Sequence, residues 1–270
     1  MPMTLSSFLL YLLGLILLTL GTVTVCGLAV HLCARLFSRL MGGASDAVFD
    51  ITSVIGTPIH ELGHAAMCLL FGHRIERIKL WTLHPQNGVY GYVDHRYSRK
   101  NLWARLGNLP IALGPIFSGL GVTVLVLLLC FPHHWKAYLE VSREVAAVGT
   151  PLKTLWEGIS SLFAGLPRAI LQNPIQGILG LLVILPVSLH ISLSWQDIRS
   201  ALGALPIYLP LLALFALITQ ALKLHRFITA SLVLFNLRLL SLFCLVVAFA
   251  AVWVLIALLI RAIRALIRCF

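Results

Sequence analysis

Six stretches of this chain, at 8–32, 47–71, 106–131, 174–195, 201–222 and 239–260, are apolar runs of about twenty residues or more. At roughly 1.5 Å of rise per residue, a helix of that length crosses the about 30 Å hydrocarbon layer of a bilayer. Lipid offers backbone N–H and C=O groups no partner, so only helices and closed barrels can cross it. The runs lack the alternation of barrel strands. The expected fold is therefore an all-α polytopic membrane protein of about six transmembrane helices, one membrane-embedded domain over residues 1–270. With 60% hydrophobic and 11% charged residues, the chain lies outside the range of soluble domains.

The net charge of +11 raises the question of nucleic acid. Lys and Arg sit between or beside the apolar runs, as topology signals do, and no basic stripe interleaved with aromatics appears on a polar segment. The expected surroundings are a lipid bilayer, with no nucleic-acid partner. With the N-terminus inside, the inner loops hold eleven Lys and Arg and the outer loops nine, which puts both termini on the cytoplasmic side. The first run is too long, and its leading segment too poor in charge, for a cleaved signal peptide; it is expected to persist as a helix. The six cysteines form no C-x-x-C pair and read as small apolar fillers.

Within the second run stands His60-Glu61-Leu62-Gly63-His64. On a helix, imidazoles at i and i+4 share a face and can clamp one Zn2+, while the carboxylate between them reaches a metal-bound water. Three ionisable side chains at membrane depth are costly unless they have a task. A buried His/Glu hydrogen-bonding cluster is the plainer explanation. Asp46 and Asp50 suit the start of this helix, Gly72 its end, and Pro58 is expected to loosen its backbone.

Residues 75–95 are not a span. Two β-prone runs, Ile75 to Leu83 and Val89 to His95, flank His84-Pro85-Gln86-Asn87-Gly88 and read as a hairpin. In the third run, Gly107, Gly114, Ser118, Gly119 and Gly121 give a face that another helix can approach closely, and Gly114-Pro115 should kink it. Asn108 there could orient a substrate carbonyl, or serve as a helix cap. Residues 132–172 read as an amphipathic external loop, with a helix over Trp135 to Val148 and a second one that Thr150 caps and Pro151 opens.

Taken together, His60-Glu61-Leu62-Gly63-His64-Ala65 in an apolar helix, Gly114-Pro115-Ile116-Phe117-Ser118 in the next and Asp197 at the end of a third make residues 47–200 resemble the site-2 protease family of intramembrane zinc metalloproteases. The chain departs from that family's Leu-Asp-Gly, having Gln196-Asp197-Ile198. The resemblance implies an edge strand that holds an extended substrate, here the strand carrying Val89, Tyr90 and Tyr92, and strand addition is the physical route. It also implies a carboxylate ligand from a separate helix.

A catalytic zinc site needs three protein ligands and an open position. Of the nine acidic residues, Asp46 and Asp50 lie too far back on the zinc helix itself, and Glu140, Glu144 and Glu157 belong to the outer loop. Glu76 and Asp94 flank the hairpin and stay open, as does His190, seven residues before Asp197 and on nearly the same helical face. Asp197 is the expected third ligand although, at the end of an uninterrupted fourth helix, its depth does not match His64; the backbone near 192–197 would have to unwind or tilt inward. The expected activity is zinc-dependent cleavage of a peptide bond in or beside a transmembrane segment of a membrane-protein substrate, with Glu61 as general base. A prenyl-protein protease would want a glutamate ligand in a later span, and none is present. The alternative from another class is a non-catalytic metal-binding scaffold or transport protein.

Overall fold

A computed structural model describes residues 4–83, 85, 88–148 and 151–269. Thr4 caps the first helix, accepting from the Ser7 N–H, and α1 (Leu5–Ile16) runs through a π-helical segment, Leu17–Gly21, into α2 (Thr22–Met41). Gly42, with φ of 58°, breaks the rod, and α3 (Ala44–Leu70) follows unbroken through Pro58. A two-stranded antiparallel sheet comes next, β1 (Arg74–Lys79) with β2 (Tyr92–Arg96), then α4 (Leu102–Ala112) and α5 (Gly114–Cys130). The rest is helical: α6 (Pro132–Val148), α7 (Pro151–Ala164), α8 (Leu166–Gln172), α9 (Pro174–His190), α10 (Trp195–Ala221) and α11 (His225–Cys269).

Among the described residues, three helical stretches are long and apolar enough to cross a membrane: Leu5–Met41, Trp195–Ala221 and His225–Ile267. The pair α4 and α5, bent by 57°, makes a fourth if it is one span. This is fewer than the six spans read from the sequence. Helix α3 has the length, but its Asp, His and Glu residues keep it out of that group; α9 is only 17 residues long. The outer faces carry exposed Leu13, Leu129, Ile175, Leu214 and Leu259, as expected of helices solvated by lipid.

Several boundaries differ from the sequence reading. The fourth helix stops at His190 rather than 195, and the fifth begins at Trp195 rather than 201, because Ser194 caps it: its hydroxyl accepts from the Asp197 N–H and Asp197 Oδ2 accepts from the Ser194 N–H. The last helix absorbs 225–238. The kink expected at Gly114-Pro115 is there, with Leu113 as hinge. Both strands are shorter than expected, and a bulge at Glu76 offsets them. Of the expected turn, His84, Gln86 and Asn87 lie outside the described residues, as does the expected cap Thr150.

Helices α6 and α7, expected as an external amphipathic loop, pack on each other and on α11. Tyr138, Leu162 and Leu166 join Leu127, Phe131, Ile184 and Leu245 in one apolar cluster, and the Tyr138 hydroxyl meets Ser241 at 2.8 Å. A second cluster joins α2, α5 and α11 through Val30, Ile116, Leu120, Phe243 and Val246.

Helix α3 lies between α5 and α9, and glycines set how closely. A Cβ on Gly63 would strike the Gly114 carbonyl and lie 2.5 Å from the Ser118 hydroxyl; one on Gly114 would lie 2.6 Å from the Gly63 carbonyl carbon. The two backbones therefore touch at the glycine inside the H-E-x-x-H motif. On the other side, a Cβ on Gly56 would lie 2.5 Å from the His190 ring.

Candidate metal centre

Helix periodicity places His60 and His64 on one face of α3, with their Nε2 atoms 3.3 Å apart. Each ring is held from behind. His60 Nδ1 donates to the His190 carbonyl at 2.7 Å, and His64 Nδ1 donates to the Ile111 carbonyl at 2.7 Å. Carbonyl oxygens only accept, so both Nδ1 atoms carry hydrogen, and in the neutral rings both Nε2 lone pairs face inward. This is how metal-binding imidazoles are oriented.

The two carbonyls are available for local reasons. His190 is the last residue of α9, whose final C=O groups have no partner within the helix. The Ile111 carbonyl would, in a continuous helix, accept the N–H of residue 115; that residue is Pro115, which has none. The same logic applies one turn earlier, where Pro110 leaves the Leu106 carbonyl to accept the Tyr208 hydroxyl at 2.6 Å, tying α4 to α10.

Asp197 completes the group. The break at 191–194 lets the chain turn into α10, whose first turn brings Asp197 Oδ1 to 3.3 Å from His64 Nε2. The mismatch in depth thus disappears. His60, His64 and Asp197 offer ligand atoms that all lie within 4.8 Å of one another. Tetrahedral ligands at about 2.0–2.1 Å from an ion stand roughly 3.3 Å apart, so the donor set fits a divalent metal of that size. Two lone pairs and a carboxylate facing one another repel unless a cation or protons lie between them.

Glu61, on the same turn, is 7% exposed. The hairpin runs back along α3: Trp81 Nε1 donates to the Ser53 hydroxyl at 2.9 Å and Tyr90 donates to Asp50 at 2.7 Å. Burial and the Asp50 carboxylate push the Tyr90 phenol up to about 12, so it stays a donor at neutral pH. Gly91 then crosses the motif, where a Cβ would lie 2.9 Å from Glu61 Cγ.

The remaining sequence-predicted residues fall elsewhere. His190 turns its ring away from the group, with Nε2 3.0 Å from the Thr52 hydroxyl, and contributes its backbone. Glu76 pairs with Arg96 at 2.9 Å and Asp94 with Arg77 at 2.8 Å, which occupies both hairpin carboxylates. Asn108 lies on the wall of a cavity of about 570 Å3, shared with Gln196, Ser200 and residues 93–97. Val89 is 51% and Tyr92 38% exposed. Sequence reasoning missed the orienting carbonyls of Ile111 and His190; Pro115, spaced four residues after Ile111, was the available sign of the first. No protein-family model, curated protein or solved structure matches this chain.

Proposed function

We propose that the chain is an intramembrane zinc endopeptidase of the site-2 protease type, cleaving a peptide bond within or beside a transmembrane segment of another membrane protein. The observation that carries this reading is the convergence of two inward-facing imidazoles and one carboxylate beside a buried glutamate. A purely structural site closes its fourth position with a protein ligand and has no use for a general base. Zinc held there would polarise the scissile carbonyl and lower the pKa of its water. Glu61 would serve as the general base, taking a proton from the attacking water and handing it to the leaving amine. Asp197 and the two histidines would hold the ion, and the carbonyls of His190 and Ile111 keep the two rings oriented.

The route offered to substrate is the cavity walled by residues 93–97 and by Gln196, the chain neighbour of Asp197. β2 has β1 on one side only, so its other edge is unpaired among the described residues, and residues 93–97 line the cavity together with Glu76 and Arg77 of β1. An extended segment would pair with that edge, its side chains alternating between cavity and sheet. In this reading α3, α9 and the bent α4–α5 unit are embedded with the three long helices, giving six membrane-embedded units and cytoplasmic termini. Cleavage is the test: new termini in membrane proteins should arise in cells carrying the native chain and be missing with Glu61→Gln. Identical fragments in both would refute the activity.

A further inference from the structure

One helical turn beyond His64, a second group of metal-ligating side chains converges. Cys68, His73 and His95 also offer ligand atoms within 4.8 Å of one another. The fold brings them together by two separate devices. Gly72, with φ of 70°, ends α3 in a left-handed turn, and the His73 N–H bonds back to the Cys68 carbonyl at 2.8 Å. This six-to-one closure puts the residue after the glycine beside the cysteine. The sheet register, Ile75 opposite His95, then delivers the second imidazole from β2.

His73 is fixed as the first pair of histidines is. Its Nε2 donates to the Ala104 carbonyl at 2.7 Å, and its ring stacks on Tyr97 with centroids 4.6 Å apart. The Ala104 carbonyl only accepts, so the neutral ring presents its Nδ1 lone pair to His95 Nδ1, 2.9 Å away. Gly107 lets this corner close, since a Cβ there would strike the Phe71 side chain and lie 3.1 Å from His73 Nε2. Cys68 is 0% and His73 3% exposed, while His95 also lines the cavity.

We propose that Cys68, His73 and His95 form a second metal site, its fourth position left to water from the cavity that His95 lines, which takes zinc or a cation of similar softness and ties the end of α3 to the hairpin. One thiolate and two imidazoles are a zinc-type donor set, whereas magnesium and calcium want oxygen. Binding releases the thiol proton to solvent, the His95 ring shifts its hydrogen from Nδ1 to Nε2, and the ion takes the place of both hydrogens. The imidazole nitrogens need to part by about 0.4 Å to reach the roughly 3.3 Å of a tetrahedral pair, a shift the half-buried end of β2 can make. The site differs from the first in containing sulfur, and it does not depend on proteolytic activity.

Cobalt(II) is the probe that separates the two. The purified full chain in detergent, loaded with cobalt alone, should show a thiolate-to-cobalt charge-transfer band. Cys68→Ala should abolish that band and lower the bound metal by about one ion per chain. The His60→Ala, His64→Ala double variant should keep it, and His95→Gln, altered on the hairpin rather than in the core, should weaken it. A native chain without the band, or a band that survives Cys68→Ala, overturns the proposal; the N–H···N hydrogen bond between the two histidines would then be the whole of their contact.

Discussion

Asp197 and Ser194 lock one another: the serine hydroxyl accepts the aspartate's N–H at 3.2 Å and the carboxylate's Oδ2 accepts the serine's N–H at 2.8 Å. The capping box that starts α10 therefore leaves only Oδ1 free, and that atom faces His64. One local motif both begins a helix and aims a carboxylate oxygen at His64.

Proline at 115 should matter through what it lacks. Pro115→Ala restores an N–H that competes with His64 for the Ile111 carbonyl. Loss of such a supporting contact costs about ten- to a hundredfold in metal affinity or activity. Zinc competition with a chelator measures it; affinity equal to the native chain's would show that this carbonyl does not orient the ring.

Gly63→Ala should be poorly tolerated although the substitution favours an isolated helix. The added methyl meets backbone of α5 at Gly114, which cannot step aside as a side chain can. Overpacking of this kind costs about 1–3 kcal/mol, read as a lower Tm, and the shifted helix should lose metal as well. A variant with native Tm and native zinc would contradict the backbone contact.

Strand addition can be probed on β2 and its approach. Proline placed singly from Val89 to Tyr97 removes one main-chain donor at a time, and the position whose N–H faces the cavity should lose cleavage while the protein stays folded. Full turnover at every position would exclude the strand as the substrate's partner.

The sequence carried the zinc-motif helix, its end at Gly72 and the kink at Gly114-Pro115, because each rests on local backbone chemistry. It misled at Asp197, which sits at the start of a helix and not at the end of one. Ser194-Trp195-Gln196-Asp197 is itself a capping-box pattern, but the apolar run up to Trp195 outweighed it. The Cys68 group was invisible for another reason. His95 lies 22 residues beyond His73, and only the hairpin register brings them within reach. The uses found for the His190 and Ile111 carbonyls are tertiary facts, which no spacing rule encodes.

Whether a carboxylate from α10 holds the ion is decided by the zinc-to-protein ratio of purified chains carrying Cys68→Ala, which confines the measurement to the first site. That chain should bind about one zinc. Adding Asp197→Ala should remove most of it at limiting zinc, while His190→Ala, which keeps the backbone carbonyl, should retain it. Zinc lost with His190→Ala and kept with Asp197→Ala would contradict the site.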